Sequence, residues 1–189
     1  MLNDTFWDAL KSDTLKFEKS LENLFRKQTG SYYTGLDFAT VMCKDLIENF
    51  LTNNSLDCLQ NKTFFEPCGG SGNFIFAFLH ELYLRDVSTE FIEAFINNIY
   101  YCEVNPLAIK FYKEYLSKLL KHYFQISVSE AYFSEHIGSG LLFDVSAPKQ
   151  EYIPLESIFP SLKNGVDILI TNPPYKNFKA EKKHYENTE

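Results

Sequence analysis

The sequence predicts an α/β domain built on a mostly parallel β-sheet. Of its 189 residues, 45% are hydrophobic and 23% are charged, which is the balance of one globular domain with a sizeable core. Beyond residue 55, short apolar segments alternate with amphipathic ones, a pattern typical of parallel strands joined by helices. Polar residues follow three of the four predicted strands. The carboxyl ends of such strands form the edge of the sheet where ligands bind.

Helices are predicted for the N-terminal segment, residues 1–55. Residues 13–28 carry apolar side chains at helical spacing, and residues 38–51 resume that spacing after an interruption rich in glycine and tyrosine. Thr34, followed three residues later by Asp37, resembles the cap that opens a helix. We therefore expect an N-terminal helical extension ahead of the sheet.

The predicted strands are short, and turn residues or helical segments bound each of them. They lie at residues 63–65, 99–103, 136–142 and 166–170. Helices are predicted over residues 73–84, near residues 91–97 and from Pro106 onward. The α/β core should therefore cover residues 56–177, and we expect the charged tail, residues 178–189, to be disordered.

The charge and the composition exclude several functions. The formal net charge is −7, so the chain lacks the basic surface that non-specific phosphate binding requires. No segment approaches the ~18 apolar residues of a membrane span, and no signal peptide is recognisable, so we expect a cytoplasmic protein without a membrane partner. The cysteines and histidines are scattered, which disfavours a disulfide framework and a metal site. They are Cys43, Cys58, Cys68, Cys102, His80, His122, His136 and His184.

A glycine turn, Glu66-Pro67-Cys68-Gly69-Gly70-Ser71-Gly72, follows the first predicted strand. Such a turn lets a ligand approach the backbone at the amino end of the next helix. A dinucleotide would bring a pyrophosphate and usually needs a third glycine, where this chain has Ile75. The Glu66 carboxylate would repel that pyrophosphate by about 4 kcal/mol at ~4 Å, whereas S-adenosylmethionine is cationic and has no phosphate. The turn therefore favours S-adenosylmethionine, and a purely structural turn is the alternative.

Glu103 ends the second predicted strand. At that position a carboxylate can accept both hydroxyls of a ribose in a bidentate pair. A surface glutamate without a ligand is the alternative.

The segment Asn172-Pro173-Pro174-Tyr175 follows the last predicted strand. Its two prolines end the strand and hold the backbone in a rigid, extended turn. The Asn172 side-chain oxygen and the Pro173 carbonyl can then accept both hydrogens of a primary amine, which turns the nitrogen lone pair toward an electrophile. Tyr175 offers a face on which a flipped base or an amide can stack. This combination suits methyl transfer to an amine, and a proline-rich loop is the alternative.

Together these motifs resemble the DNA adenine-N6 methyltransferases of restriction–modification systems, such as type I modification subunits and type IIG-like enzymes. The resemblance covers about residues 28–177, and its order and spacing make it specific. It includes Gly30-Ser31-Tyr32-Tyr33-Thr34, the glycine turn with Asn73-Phe74, the segment from Asn98 to Pro106, and Thr171 with the Asn-Pro-Pro-Tyr segment. It implies a Rossmann-like methyltransferase fold that uses S-adenosylmethionine to methylate adenine in DNA.

The resemblance also implies roles for individual residues. The cofactor-binding residues would be Tyr32, Thr34, Glu66, Cys68, Gly70, Glu103, Val104, Ser139 and Asn172, and the catalytic residues would be Asn172, Pro173, Pro174 and Tyr175. Within these sets, Tyr32 and Thr34 would line the methionine end of the cofactor, and Glu103 and Val104 would hold its ribose and adenine. No metal is implied.

The chain departs from the family pattern at three places. Gly35 follows the threonine where proline is common, and Cys68-Gly69-Gly70 stands where alanine, cysteine and glycine are common. At the third strand, Ser139 replaces an acidic residue that usually accepts a hydrogen bond from the adenine amine. Asp144 is the alternative acceptor.

In this family the fold continues after the catalytic segment with further strands and a target-recognition domain. The resemblance therefore implies a chain that is truncated after the fourth strand and relies on a specificity subunit or a missing C-terminal lobe to hold DNA. Two other functions remain open. One is a protein-glutamine or ribosomal-RNA methyltransferase, since those families resemble the chain at the Asn-Pro-Pro-Tyr segment. The other is a non-catalytic, cofactor-binding fragment that needs a partner lobe.

Overall fold

The computed structural model describes residues 4–21, 33–138 and 154–173, in which helices surround a four-stranded, all-parallel sheet. The strands are β1 (Phe64–Glu66), β2 (Ile99–Cys102), β3 (Ile137–Gly138) and β4 (Ile168–Leu169), in the order β3-β2-β1-β4. The α-helices are α1 (Thr5–Ser20), α2 (Leu36–Leu51), α3 (Asn73–Tyr83), α4 (Thr89–Ile96), α5 (Pro106–Phe124), α6 (Glu130–His136) and α7 (Leu155–Ile158), and short 3-10 helices cover Leu56–Leu59 and Pro160–Leu162. The predicted α/β class and parallel sheet are confirmed, and the architecture is compatible with a Rossmann-like fold.

The register of the sheet brings the ends of three strands together. Phe64 of β1 pairs with Ile99 of β2 on one side and with Ile168 of β4 on the other. Because all strands are parallel, the residues that follow β1, β2 and β4 meet at one edge. That edge carries the glycine turn, Glu103 and the described start of the Asn-Pro-Pro-Tyr segment, Asn172 and Pro173.

Two apolar cores cover the faces of the sheet. Phe64 and Phe65 are consecutive and therefore point to opposite faces. Phe64 packs edge-on against Phe78 of α3, with ring centroids 5.0 Å apart, in the larger core that α1 to α6 share. Phe65 packs against Phe159, with ring centroids 6.0 Å apart, in a smaller core. Burial on both faces accounts for the continuous apolar character of β1.

The predicted start of the first helix is wrong. α1 begins at Thr5 rather than near residue 13, because the Asp4 side chain accepts a hydrogen bond from the Trp7 backbone N–H at 3.0 Å and caps the helix. The interval 22–28, which the pattern assigned to this helix, lies outside the described residues.

Two further local expectations are corrected. Thr34 does not cap α2, because the N-cap residue is Gly35, which makes no side-chain hydrogen bond to the first turn. His136, which the pattern assigned to the third strand, is the last residue of α6, and the strand begins at Ile137. The rest of that predicted strand, like the predicted tail at 178–189, lies outside the described residues.

Carboxylates fix α1 to the rest of the domain. Asp4 accepts a hydrogen bond from the Tyr123 hydroxyl at 2.7 Å, and Asp13 accepts one from the Tyr115 hydroxyl at 2.8 Å. Both tyrosines lie on α5. Between these two contacts along α1, the Trp7 ring stacks on the ring of His80 of α3, with ring centroids 3.9 Å apart. The far end of α1 is thereby held near the glycine turn.

Among the helices that the structure describes, none has the length and apolar character needed to cross a membrane.

We expect Asp4→Ala to lower the free energy of unfolding by about 1–2 kcal/mol, because the variant loses the helix cap and the Tyr123 bond together. Urea unfolding followed by far-UV circular dichroism measures this loss. Asp45→Ala, at an exposed position within α2, is the control and should change the value by less than about 0.5 kcal/mol. Equal effects of the two substitutions would contradict the capping role.

Candidate functional site

The glycine turn between β1 and α3 is set by its backbone and by aromatic packing. Gly70 and Gly72 adopt φ values of +53° and +88°, which non-glycine residues rarely take. A β-carbon on Gly70 would lie 2.3 Å from the Tyr33 ring, and one on Gly72 would lie 2.4 Å from the Tyr112 ring. These contacts explain the glycines without any ligand. Evidence for a binding site must therefore come from the side chains around the turn.

Glu103 braces the turn. Its Oε2 accepts a hydrogen bond from the Gly70 N–H at 2.8 Å, and its Oε1 accepts from the N–H groups of Val104 and Asn105 at 2.7 and 2.8 Å. A carboxylate oxygen has about two acceptor positions, so among the residues that the structure describes Oε1 is fully used and Oε2 keeps one position. The geometry thus leaves Glu103 able to accept one further donor, rather than the bidentate ribose pair that the sequence suggested.

Glu66 is a buried acid at the end of β1. It is 2% exposed, and its Oε2 has no hydrogen-bond partner among the residues that the structure describes. Burial raises the pKa of its carboxyl well above the ordinary 4.5, and the negative charge of Glu103 raises it further, against a smaller opposing effect of a hydrogen bond from the Ile75 backbone. A site that supplies a cation or a donor to Oε2 would remove this penalty.

A small pocket brings Glu66 together with residues from distant parts of the chain. It is lined by Tyr33, Thr34, Glu66, Cys68, Gly69, Ser71, Asn73, Phe74 and Asn172. Four of the sequence-predicted site residues, Thr34, Glu66, Cys68 and Asn172, are therefore neighbours. The cavity measures about 20 Å³ for the centres of water-sized groups, which is room for about one such group.

Asn73 is a pocket residue that the sequence analysis did not single out as a ligand contact. Its Nδ2 donates to the Thr34 carbonyl at 2.8 Å and to Glu18 Oε1 at 3.2 Å. Its Oδ1 is buried and has no partner within the described ranges. The signal that could have identified it is its position as the first residue of a helix after a Gly-x-Gly turn, where a polar side chain lies beside any ligand of the turn.

Cys68 lies in the same pocket as a neutral thiol. Burial raises the pKa of the thiol above its ordinary 9.0, and the acidic groups of Glu103 and Glu66 add to this, although the nearby Thr171 side chain opposes it. A thiol with a raised pKa is a poor nucleophile at neutral pH. Cys68 is therefore suited to lining the pocket rather than to covalent catalysis.

The other predicted site residues fall into two groups. Gly70, Val104 and Pro173 are described but are not among the residues that line this pocket, and Val104 is 46% exposed beside Glu103. Tyr32, Ser139, Pro174 and Tyr175 lie outside the described residues, as does Asp144.

Neither metal chemistry nor comparison with known proteins adds an assignment. Within residues 4–21, 33–138 and 154–173, no group of three or more histidine, cysteine, aspartate or glutamate side chains is placed to hold a metal ion. No protein-family model matches the sequence, and no curated protein matches it. The pocket lined by Glu66, Asn73 and Asn172 is therefore the feature of the molecule that points to a function.

The buried carboxyl of Glu66 makes stability depend on pH. Because its folded-state pKa is raised, the stabilisation that its neutral form contributes is full below about pH 4.5 and is lost as the pH rises through the folded-state pKa. Glu66→Gln cannot ionise, so we expect the ligand-free variant to gain stability relative to the native chain between about pH 5 and about pH 8. Urea unfolding at both pH values measures this.

Glu93→Gln, at an exposed position on α4, is the matched control and should follow the native chain at both pH values. A difference between Glu66→Gln and the native chain that does not change with pH would contradict the raised pKa.

Proposed function

We propose that the chain is the cofactor-binding and catalytic portion of an S-adenosylmethionine-dependent DNA adenine-N6 methyltransferase. The observation that carries the proposal is that one pocket joins Asn172 to the buried Glu66 carboxyl, whose Oε2 has no hydrogen-bond partner among the described residues. The acidic group matches a cationic cofactor. The asparagine matches the amine that receives the methyl group.

The charge of the pocket favours a cation over a phosphate. Glu66 lines the pocket and Glu103 braces the same turn. A pyrophosphate at this turn would keep Glu66 neutral and would be repelled by the Glu103 carboxylate, by about 4 kcal/mol at ~4 Å for an effective dielectric constant near 20. S-adenosylmethionine brings an ammonium and a sulfonium, and both are attracted.

The size of the pocket indicates which part of the cofactor it receives. Room for about one water-sized group fits the ammonium of the methionine end. Glu103, which braces the same turn, would accept one ribose hydroxyl of the bound cofactor at Oε2. Val104 and Leu107 are 46% and 59% exposed and offer an apolar surface to the adenine.

The Asn-Pro-Pro-Tyr segment supplies the acceptors for the substrate. The Asn172 amide oxygen and the Pro173 carbonyl accept the two hydrogens of the adenine N6 amine, which directs the nitrogen lone pair at the methyl carbon. When bound, S-adenosylmethionine would supply the methyl group for the new N–C bond, and its sulfur would keep the electron pair of the S–C bond that breaks. The attacking nitrogen then loses a proton to solvent.

The net charge of −7 bears on how DNA is held. Non-specific DNA binding depends on lysine and arginine neutralising phosphates. A chain of this charge contributes the chemistry, and its grip on the duplex comes from a specificity subunit or a further lobe.

We expect the chain to bind S-adenosylhomocysteine, and we expect Glu66→Gln to weaken that binding about tenfold to hundredfold, because a charge-assisted hydrogen bond to the ammonium is lost. Isothermal titration calorimetry measures both dissociation constants. Glu93→Gln is again the control and should bind as the native chain does. Binding of NADH in place of S-adenosylhomocysteine would contradict the proposal.

At DNA concentrations high enough to offset weak binding of the duplex, we expect radiolabelled methyl groups to pass from S-adenosylmethionine to adenine in unmethylated bacterial DNA. We expect Asn172→Ala to abolish this transfer even when S-adenosylmethionine saturates the variant. Scintillation counting of the DNA measures transfer, and calorimetry on the same variant measures binding. Transfer to a release factor or to ribosomes would favour the protein-glutamine or ribosomal-RNA methyltransferase. Cofactor binding without any transfer would favour the non-catalytic fragment.

A further inference from the structure

The last turn of α1 reaches the glycine turn. Glu18 Oε1 accepts hydrogen bonds from Ser71 Oγ at 3.4 Å and from Asn73 Nδ2 at 3.2 Å, across 53 and 55 residues of sequence. The helix is anchored independently one and a half turns earlier by the bond between Asp13 and Tyr115. The N-terminal helix thus touches the pocket from outside the α/β core.

The contacts of Asn73 determine which way its amide faces. Nδ2 carries two hydrogens, and it lies within hydrogen-bond distance of two oxygens, Glu18 Oε1 and the Thr34 carbonyl. The opposite orientation would place Oδ1 against those two acceptors, which is unfavourable. Glu18 and Thr34 therefore fix the amide so that Oδ1 is the atom left to accept a hydrogen bond.

Asn73 Oδ1 and Glu66 Oε2 are both buried acceptor atoms of residues that line the pocket. Asn73 is 4% exposed and Glu66 is 2% exposed. In the part of the chain that the structure describes, neither Asn73 Oδ1 nor Glu66 Oε2 has a hydrogen-bond partner, and both residues line the pocket. Two buried acceptors beside a cavity of one water-sized group suit an ammonium, which has three N–H donors.

We infer that Glu18 is a positioning residue, which orients the Asn73 amide so that Oδ1 accepts a hydrogen bond from the ammonium of the cofactor. This inference rests on the proposed function. It makes the N-terminal helix a determinant of cofactor affinity although Glu18 itself acts only through Asn73.

Without the Glu18 carboxylate, Asn73 Nδ2 keeps only the Thr34 carbonyl, and the amide is free to turn its NH₂ group toward the ammonium. We expect Glu18→Ala and Asn73→Ala each to weaken binding of S-adenosylhomocysteine about tenfold or more. Binding of 5′-methylthioadenosine, which has no ammonium, should stay within about twofold. The ratio is the dissociation constant of 5′-methylthioadenosine divided by that of S-adenosylhomocysteine, both measured by calorimetry. It reports on the orientation of Asn73 rather than on folding.

Two variants separate orientation from other effects of the substitution. Glu18→Gln keeps an oxygen that can accept from Asn73 Nδ2, so it should bind S-adenosylhomocysteine nearly as the native chain does. Asp13→Ala loosens α1 through its Tyr115 contact without touching Asn73, so it should leave the ratio unchanged.

Each outcome decides the matter. A ratio that falls for Glu18→Ala and is restored by Glu18→Gln supports the inference. The inference is overturned if the ratio is unchanged for Glu18→Ala, if it falls equally for Asp13→Ala, or if Glu18→Gln does not restore it. In each of these cases, native binding of S-adenosylhomocysteine leaves the proposed function standing. A native chain that binds neither compound overturns the proposed function and the inference together.

Discussion

The burial of the Glu66 carboxyl at the end of β1 is the constraint around which the site is organised. An acid that is 2% exposed and has an unpartnered oxygen among the described residues destabilises the domain whenever it is ionised. A glutamine or an aliphatic residue would fill the same space without that penalty. Glu66 directly follows Phe64 and Phe65, which anchor the strand in the two apolar cores. A buried, destabilising group at the ligand edge of a parallel sheet is typical of a binding site.

The acidic residues of the chain are used for attachment as well as for charge. Asp4 and Asp13 of the α1 region each accept a hydrogen bond from a tyrosine of α5, and Glu103 gathers three backbone N–H groups around the glycine turn. Taken alone, a net charge of −7 suggests only a solvated surface. The structure instead places these carboxylates where they join separate segments, so that the turn and the N-terminal helix form one support for the pocket.

The sequence was informative where local rules decide the structure, and less so where distant contacts do. Alternating segments and proline positions predicted the parallel sheet, the glycine turn and the start of α5 at Pro106. The periodicity does not predict the start of α1, because the Asp4 cap is a single residue ahead of a weakly apolar segment. Thr34 has the spacing of a cap, but its backbone carbonyl, rather than its side chain, accepts a hydrogen bond, from Asn73. Nor could sequence show that Asn73 bonds to Glu18 across 55 residues, because only the docking of α1 brings them together.

The pocket couples the ionisation of Glu66 to occupancy. In the ligand-free protein, burial favours the neutral carboxyl, since nothing in the described part of the site offsets the charge on Oε2. An ammonium in the cavity reverses this preference, because an opposite charge at hydrogen-bond distance stabilises the carboxylate. The attraction between the two charges then offsets the desolvation cost of each. A phosphate would raise the carboxyl pKa still further and keep Glu66 neutral, and the Glu103 carboxylate at the same turn would repel it. The same burial that destabilises the empty protein therefore discriminates between ligands by the sign of their charge.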